Sequence, residues 1–209
     1  MTKIVALSDQ HMNFFEVPSG DILIVAGDMT YRGAPQEIKA FADWLKPLKD
    51  QFKHRIVIAG NHDFGFQDHQ AAMVSLLDPD VIYLEHEACE VEGLKIFGSP
   101  YTPPFYNWAF MKDEHFLEIL YGEIPDDTQV LITHGPPHSI LDKVPDGTQV
   151  GSHALLRRIK QLDHLKLSIF GHIHTQGGKH ENVCGIDFYN VGVLNDAYKR
   201  ANSATVIEL

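Results

Sequence analysis

Five apolar segments of this chain each run into Asp, His or Asn, usually beside Gly. Ile4-Val5-Ala6-Leu7-Ser8 is followed by Asp9-Gln10-His11, and Ile22-Leu23-Ile24-Val25-Ala26 by Gly27-Asp28. Further on, Ile56-Val57-Ile58-Ala59 leads to Gly60-Asn61-His62-Asp63, Val130-Leu131-Ile132-Thr133 to His134-Gly135, and Leu167-Ser168-Ile169-Phe170 to Gly171-His172-Ile173-His174. Ligands of open α/β sheets bind outside the carboxyl ends of the strands, so these tips are expected to converge on one site. Asp9, His11, Asp28, Asn61, His134, His172 and His174 bring seven oxygen and nitrogen donors, too many for one ion with an open position. A carboxylate shared by two ions about 3.5–4 Å apart accommodates them and leaves room for water and substrate. Imidazole-rich donor sets suit Mn, Fe, Zn or Ni rather than Mg or Ca. No thiolate stands among them, which speaks against a structural zinc site.

The elements that must hold these groups are short runs of Val, Ile and Leu bounded by Gly or polar residues, the pattern of strands buried on both faces. They are Lys3–Leu7, Asp21–Ala26, Arg55–Ala59, Val130–Thr133 and Leu167–Phe170. Helical spacing marks Ala34–Gln51, where Ile38, Phe41, Leu45 and Leu48 recur one or two turns apart. Gln67–Leu77, Asp113–Leu120 and Ser152–Leu162 read as further helices. Shorter strands are expected at Val81–Leu84, Cys89–Val91, Leu94–Phe97, Asp187–Val191 and Ala204–Glu208, with a hairpin turn at Glu92-Gly93. Alternating strands and helices predict an α/β fold, and the hairpins make its sheets mixed.

Composition narrows the function classes. The chain has 209 residues, 44% hydrophobic and 22% charged, which is globular usage and fits one domain over residues 1–209. Its formal charge is −11, and its longest basic run is the pair Arg157-Arg158, so a stripe for tracking long nucleic acid is missing. An acidic protein still binds phosphate where something local reverses the field, and a metal ion does this best. No apolar run approaches the roughly 20 residues that span a bilayer. Met1-Thr2-Lys3-Ile4 enters a strand directly, so neither a leader nor a membrane anchor is expected. Cys89 and Cys184 stand far apart and outside any CxxC spacing, as in a reduced cytoplasm.

Taken in order, Asp-x-His, Gly-Asp, Gly-Asn-His-Asp, His-Gly and Gly-His-x-His resemble the calcineurin-like metallophosphoesterase superfamily, from Asp9 to His174. A narrower likeness lies in Phe97-Gly98-Ser99-Pro100-Tyr101-Thr102-Pro103-Pro104-Phe105, Asn107-Trp108-Ala109-Phe110 and Thr133-His134-Gly135-Pro136-Pro137. These stretches are similar to the MPPED branch of class III cyclic nucleotide phosphodiesterases. The resemblance implies two mixed sheets packed as a sandwich between helices. It implies that Asp9, His11 and His174 hold one divalent ion, that Asn61, His134 and His172 hold the other, and that Asp28 bridges them, with Mn favoured. Some members of the branch lack a histidine at the place of His172; its presence here implies that both positions fill. His62 would be a general acid whose ring Asp63 orients, with capping of the following helix as the rival role of Asp63.

The implied reaction is hydrolysis of a small phosphodiester, a cyclic nucleotide above others, by in-line attack of a metal-bridging hydroxide. Phosphomonoesters or a nucleotide pyrophosphate are the alternative substrates, and a non-catalytic protein-binding scaffold is the third reading. Asn61 is also expected to meet phosphate. The aromatic stretch with Tyr101, Phe105 and Trp108 would form a wall for the base. Arg32 and His138 are further candidates for substrate contact, against the alternative that both are ordinary exposed residues. A monomer or a homodimer is equally compatible with this sequence.

Overall fold

The computed structural model describes residues Met1–Leu209. In chain order the elements are β1 (Lys3–Leu7), β2 (Ile22–Ala26), α1 (Pro35–Leu45), β3 (His54–Ile58), α2 (Phe64–Val74) and β4 (Val81–Tyr83). The second half adds β5 (Glu87–Val91), β6 (Leu94–Ser99), α3 (Glu114–Gly122), β7 (Val130–Thr133) and α4 (His153–Ile159). It ends with β8 (Leu167–Phe170), β9 (Lys179–Val183), β10 (Ile186–Asn190) and β11 (Thr205–Glu208). One sheet has the order β11-β1-β2-β3-β4 and the other β5-β6-β7-β8-β10-β9. Both are mixed: β1 to β4 pair in parallel with β11 antiparallel to β1, while β6, β7, β8 and β10 pair in parallel between antiparallel β5 and β9.

Alternation within the apolar strands builds three layers of core. Ile4, Ala6, Ile22, Ile24, Ile56 and Ile58 of the first sheet meet Ile96, Val130, Ile132, Leu167 and Ile169 of the second. The intervening residues Val5, Leu7, Leu23, Val25 and Val57 face the other way, onto Ile38, Phe41 and Leu45 of α1 and Phe66 and Met73 of α2. On the far side Phe97, Leu131, Phe170 and Phe188 pack on Leu117 and Tyr121 of α3 and Leu155 and Ile159 of α4. Each central strand is therefore buried on both faces, which is why its sequence is continuously apolar. The result is the helix–sheet–sheet–helix sandwich. No helix is long and apolar enough to cross a membrane.

Several boundaries differ from expectation. The segment expected as one helix over Ala34–Gln51 is α-helical only to Leu45 and continues as a 3₁₀ turn over Lys46–Asp50. Pro47 has no N–H for an i−4 bond and disfavours helical geometry in the residue before it. The second helix begins at Phe64 rather than Gln67 and is interrupted at His69 (φ −145°, ψ 46°). Strand β9 was not expected at all: Lys179-His180-Glu181-Asn182-Val183 is exposed throughout and carries no apolar period. Its pairing comes from β10, and its polar side chains suit a sheet edge that must not recruit another chain.

Candidate metal centre and substrate cleft

The loops after β1, β2, β3, β7 and β8 are tied to one another at the backbone. Asp9 N donates to Gly27 O and His11 N to Asp28 O, each at 3.0 Å. The carboxylate of Asp9 accepts from His172 N at 3.1 and 3.0 Å, and Asp28 Oδ1 accepts from His62 N at 2.8 Å. Asp9, His11, Asp28 and His172 all have positive φ (56°, 40°, 54° and 67°), a conformation uncommon outside glycine. Gly27 has φ +92°, and a Cβ there would stand 2.6 Å from His134 Nδ1 and 2.8 Å from Ala59 O. Glycine is required at that tip for both reasons.

Five of the seven candidate donors, Asp9, His11, Asp28, His134 and His174, fall into close groups of ligand atoms, and His172 into none of them. Asp9, His11 and His174 form one group whose ligand atoms lie within 4.8 Å of each other; Asp9, Asp28 and His134 form a second, and His11, Asp28 and His62 a third. Asn61 Oδ1 lies 2.9 Å from His134 Nε2. The His172 ring packs edge-on against His134 with centroids 5.0 Å apart. Nδ1 of His11, His134 and His174 points at a backbone carbonyl: Thr30 O (3.2 Å), Ala26 O (3.0 Å) and Asn195 O (3.1 Å) respectively. Donating through Nδ1–H, each neutral ring presents the Nε2 lone pair to the interior of the site.

Those lone pairs face other acceptors. His134 Nε2 is 3.4 Å from Asp28 Oδ1, His11 Nε2 is 3.7 Å from Asp28 Oδ2, and His174 Nε2 is 3.5 Å from Asp9 Oδ1. His11 Nε2 is buried without any hydrogen-bond partner. Acceptors gathered around acceptors need a positive charge between them, either a proton or a cation. Burial opposes protonation of His134, yet the Asp28 carboxylate outweighs it and lifts the imidazole to about 9. His174 is raised to about 9 in the same way, by its hydrogen bond to Asp9 acting against burial. Burial would raise the Asp9 carboxyl, but His174 holds it at about 2. Asp28 is likewise held well below the usual carboxylate range by His134 and His11, against its own burial. Burial and the neighbouring His134 push His172 down to about 4. The donors thus fit divalent cations, whose binding would displace protons from the raised imidazoles.

His62 lies half-buried beside this centre, its ring stacked on Trp108 (centroids 4.1 Å apart) and edge-on to His11 (4.5 Å). Its orienting partner is not Asp63: His62 Nδ1 sits 2.9 Å from Tyr31 O. The Asp63 carboxylate instead accepts from Thr30 N (3.1 Å), Thr30 Oγ1 (2.6 Å) and Gly60 N (2.8 Å). It makes no side-chain cap to α2 either. Asp63 therefore cross-links the loops after β2 and β3 beneath the site. Burial, reinforced by Asp28, pushes its pKa up to about 7 despite those donors.

Above the centre opens a cleft of about 480 Å³. Asp28, Asn61, His62, His172 and His174 form its floor, and Thr102, Pro103, Pro104, Phe105 and Trp108 one wall. Phe105 and Trp108 thus stand where the aromatic stretch was expected to place them. Tyr101 does not: its ring packs against His86 and Phe110, and its carbonyl accepts from Tyr121 Oη at 2.7 Å, all away from the cleft. His138 is outside as well, stacked on His153 at 3.7 Å with Nδ1 at 2.7 Å from Ser139 Oγ. The Arg32 guanidinium lies 4.6 Å over the Trp108 ring and does not line the cleft. The cleft is also lined by residues without any signal in the sequence: Val144, Pro145, Val150, Asp196 and Tyr198. Burial and the nearby carboxylates of Asp28, Asp9 and Asp196 raise the Tyr198 phenol, which keeps its proton at neutral pH.

A sandwich of two mixed sheets with Asp and His at its strand tips defines a metallophosphoesterase architecture. Residues 3–176 match the model of the calcineurin-like phosphoesterases, and the chain belongs to that family. It is therefore a metal-dependent phosphoester hydrolase. The chain is similar to the human protein named Metallophosphoesterase domain-containing protein 1, 36% identical over 236 aligned residues that cover 100% of this chain and 71% of the relative. That likeness agrees with the MPPED-type stretches. A UPF0046 protein of Caenorhabditis elegans is 34% identical over 84% of this chain and 64% of its own length. Among solved structures, one crystal structure superposes on 92% of this chain and 91% of its own with TM-score 0.69 at 18% identity. The Thermus thermophilus sulfate thiohydrolase SoxB, in complex with glycerol, shares the fold with TM-score 0.55 at 11% identity, over 91% of this chain and 51% of SoxB.

Proposed function

We propose that this chain, acting as one domain over residues 1–209, hydrolyses a small phosphodiester, with cyclic nucleotides as the preferred substrates, at a pair of divalent cations. Asp9, His11 and His174 would hold one ion, Asn61, His134 and His172 the other, with Asp28 shared and Mn as the favoured metal. When bound, the cations supply Lewis-acid neutralisation of phosphate charge and lower the pKa of coordinated water.

The observation that carries the diester reading is the charge of the cleft: neither lysine nor arginine lines it, and Asp28 and Asp196 do. A phosphomonoester or pyrophosphate brings additional negative charge that such sites meet with cationic side chains. A diester brings one charge, and the wall of Phe105 and Trp108 offers ring faces to a base. The chain's own groups fit the remaining tasks. With Nδ1–H of His62 committed to Tyr31 O, the proton it gives to the departing alkoxide sits on Nε2. Trp108 fixes the plane of that ring. Asn61 turns Oδ1 to His134 and leaves its NH₂ without a protein acceptor, free to donate to an equatorial phosphate oxygen. Water adds across one P–O bond, giving a phosphomonoester and a free hydroxyl, both on the same molecule when the diester is cyclic. Both cysteines are free, which suits a reducing compartment, and we place the protein in the cytoplasm.

Steady-state kinetics after reconstitution with Mn tests this, using 2′,3′- and 3′,5′-cyclic nucleotides together with bis-p-nitrophenyl and p-nitrophenyl phosphate. Diesters are expected to lead in kcat/KM by at least about tenfold. A preference for p-nitrophenyl phosphate would overturn the reading in favour of a monoesterase. Absence of turnover on every ester, with metal bound, would revive the scaffold.

A further inference from the structure

Beyond the residues matched by the family model, the turn Asn195–Lys199 brings one side chain over the site. Tyr198 lines the cleft, with its ring centroid 4.8 Å from that of His11, 5.4 Å from His174 and 6.4 Å from His62. Its backbone has φ +55°, a conformation that bulky residues rarely adopt. The turn is built to hold it there. Tyr198 N donates to Asn195 O at 2.8 Å, and Asn195 Oδ1 accepts from Ala197 N (3.0 Å) and Lys199 N (3.1 Å). The same Asn195 carbonyl receives His174 Nδ1 at 3.1 Å, so one peptide group orients a candidate ligand and the turn that carries the tyrosine.

Packing alone does not account for the phenol. The residue is 43% exposed, and its hydroxyl makes no hydrogen bond within the protein. An unengaged O–H donor thus stands at the mouth of a cleft that has no lysine or arginine to meet a phosphate oxygen. We propose that Tyr198 is a further catalytic residue, whose hydroxyl donates a hydrogen bond to a non-bridging oxygen of the substrate phosphate. The proton stays on the phenol oxygen throughout, so no bond of Tyr198 forms or breaks. This rests on the phosphodiesterase reading above.

The test is Tyr198→Phe, which keeps the ring and its contacts with the histidines and removes only the donor. Wild type and variant, both reconstituted with Mn, are compared in bis-p-nitrophenyl phosphate kinetics, in calorimetric binding of inorganic phosphate, and in metal content. Loss of a hydrogen bond to a charged oxygen predicts kcat/KM lower by about 10–100-fold and clearly weaker phosphate binding, at unchanged Mn per chain. Kinetics and phosphate affinity within twofold of wild type would overturn the proposal. So would loss of Mn in step with activity, since the hydroxyl would then serve the ions. If wild type fails on diesters, the functional reading falls, while phosphate affinity still decides the role of Tyr198.

Discussion

Gly27 and Gly93 both have positive φ, +92° and +72°, but they differ in what surrounds them. A Cβ at Gly93 meets nothing within 4 Å, whereas one at Gly27 meets His134 Nδ1 at 2.6 Å, Ala59 O at 2.8 Å and Gly60 Cα at 2.8 Å. Gly93→Ala therefore isolates the conformational cost, about 1 kcal/mol, which lowers the Tm of a chain this size by about 2–4 °C. Gly27→Ala carries the same cost plus overpacking of about 1–3 kcal/mol, for a total loss in Tm of about 5–15 °C. Relief of the overlap drives His134 off Ala26 O, the bond that orients its ring, so Mn affinity is expected to fall about 10–100-fold. Thermal denaturation of the two variants, paired with Mn titration, reads both effects. Equal destabilisation of the two, or unaltered Mn binding in Gly27→Ala, would refute the reasoning that close approach to His134 dictates glycine at this tip.

Asp28 turns Oδ2 to His11 Nε2 and Oδ1 to His134 Nε2, one donor from each proposed ion's set, so Asp28→Asn is expected to abolish binding of both ions together; elemental analysis showing unchanged stoichiometry would contradict the sharing. His62→Ala should leave metal content intact while kcat falls by about 10²–10⁴, and persistent turnover would remove it from the role of acid. His86 provides a pH test away from the centre. Its ring is held by Ser99 Oγ and Leu120 O, and burial lowers its pKa below 6.5 despite Leu120 and Glu123. The unfolded chain protonates first on acidification, so stability from His86 is full above pH 6.5 and is lost as pH falls below it. His86→Asn, which tolerates the φ of 62° there, is expected to lose less stability than wild type in urea unfolding between pH 7.5 and 5.5. Identical losses would exclude the linkage.

The strand tips were legible because two signals coincide there: continuous apolar runs that only doubly buried strands need, and Asp, Asn or His set at their ends, at four of the five tips beside glycine. Contacts between distant loops left no such trace. Asp63 follows His62 in sequence, yet its carboxylate turns down to Thr30 and Gly60, and the Tyr31 carbonyl takes the place expected for it. Within the aromatic stretch the sequence named the right loop but not its faces, since an irregular segment has no period to separate Phe105 in the cleft from Tyr101 beneath it. Tyr198 sits in a polar turn with no local pattern, and only tertiary folding carries it to the histidines. The same is true of β9, whose residues pair because β10 is there.

Asp9, Asp28 and Asn61 hang from one sheet of the sandwich, and His134, His172 and His174 from the other. Cations gripped by both sets would act as rivets through two plates otherwise joined by apolar packing and a few hydrogen bonds at this rim, such as that from His172 N to Asp9. Prying the plates apart would then require the rivets to leave first, so chelation should loosen the whole molecule and not merely silence its chemistry.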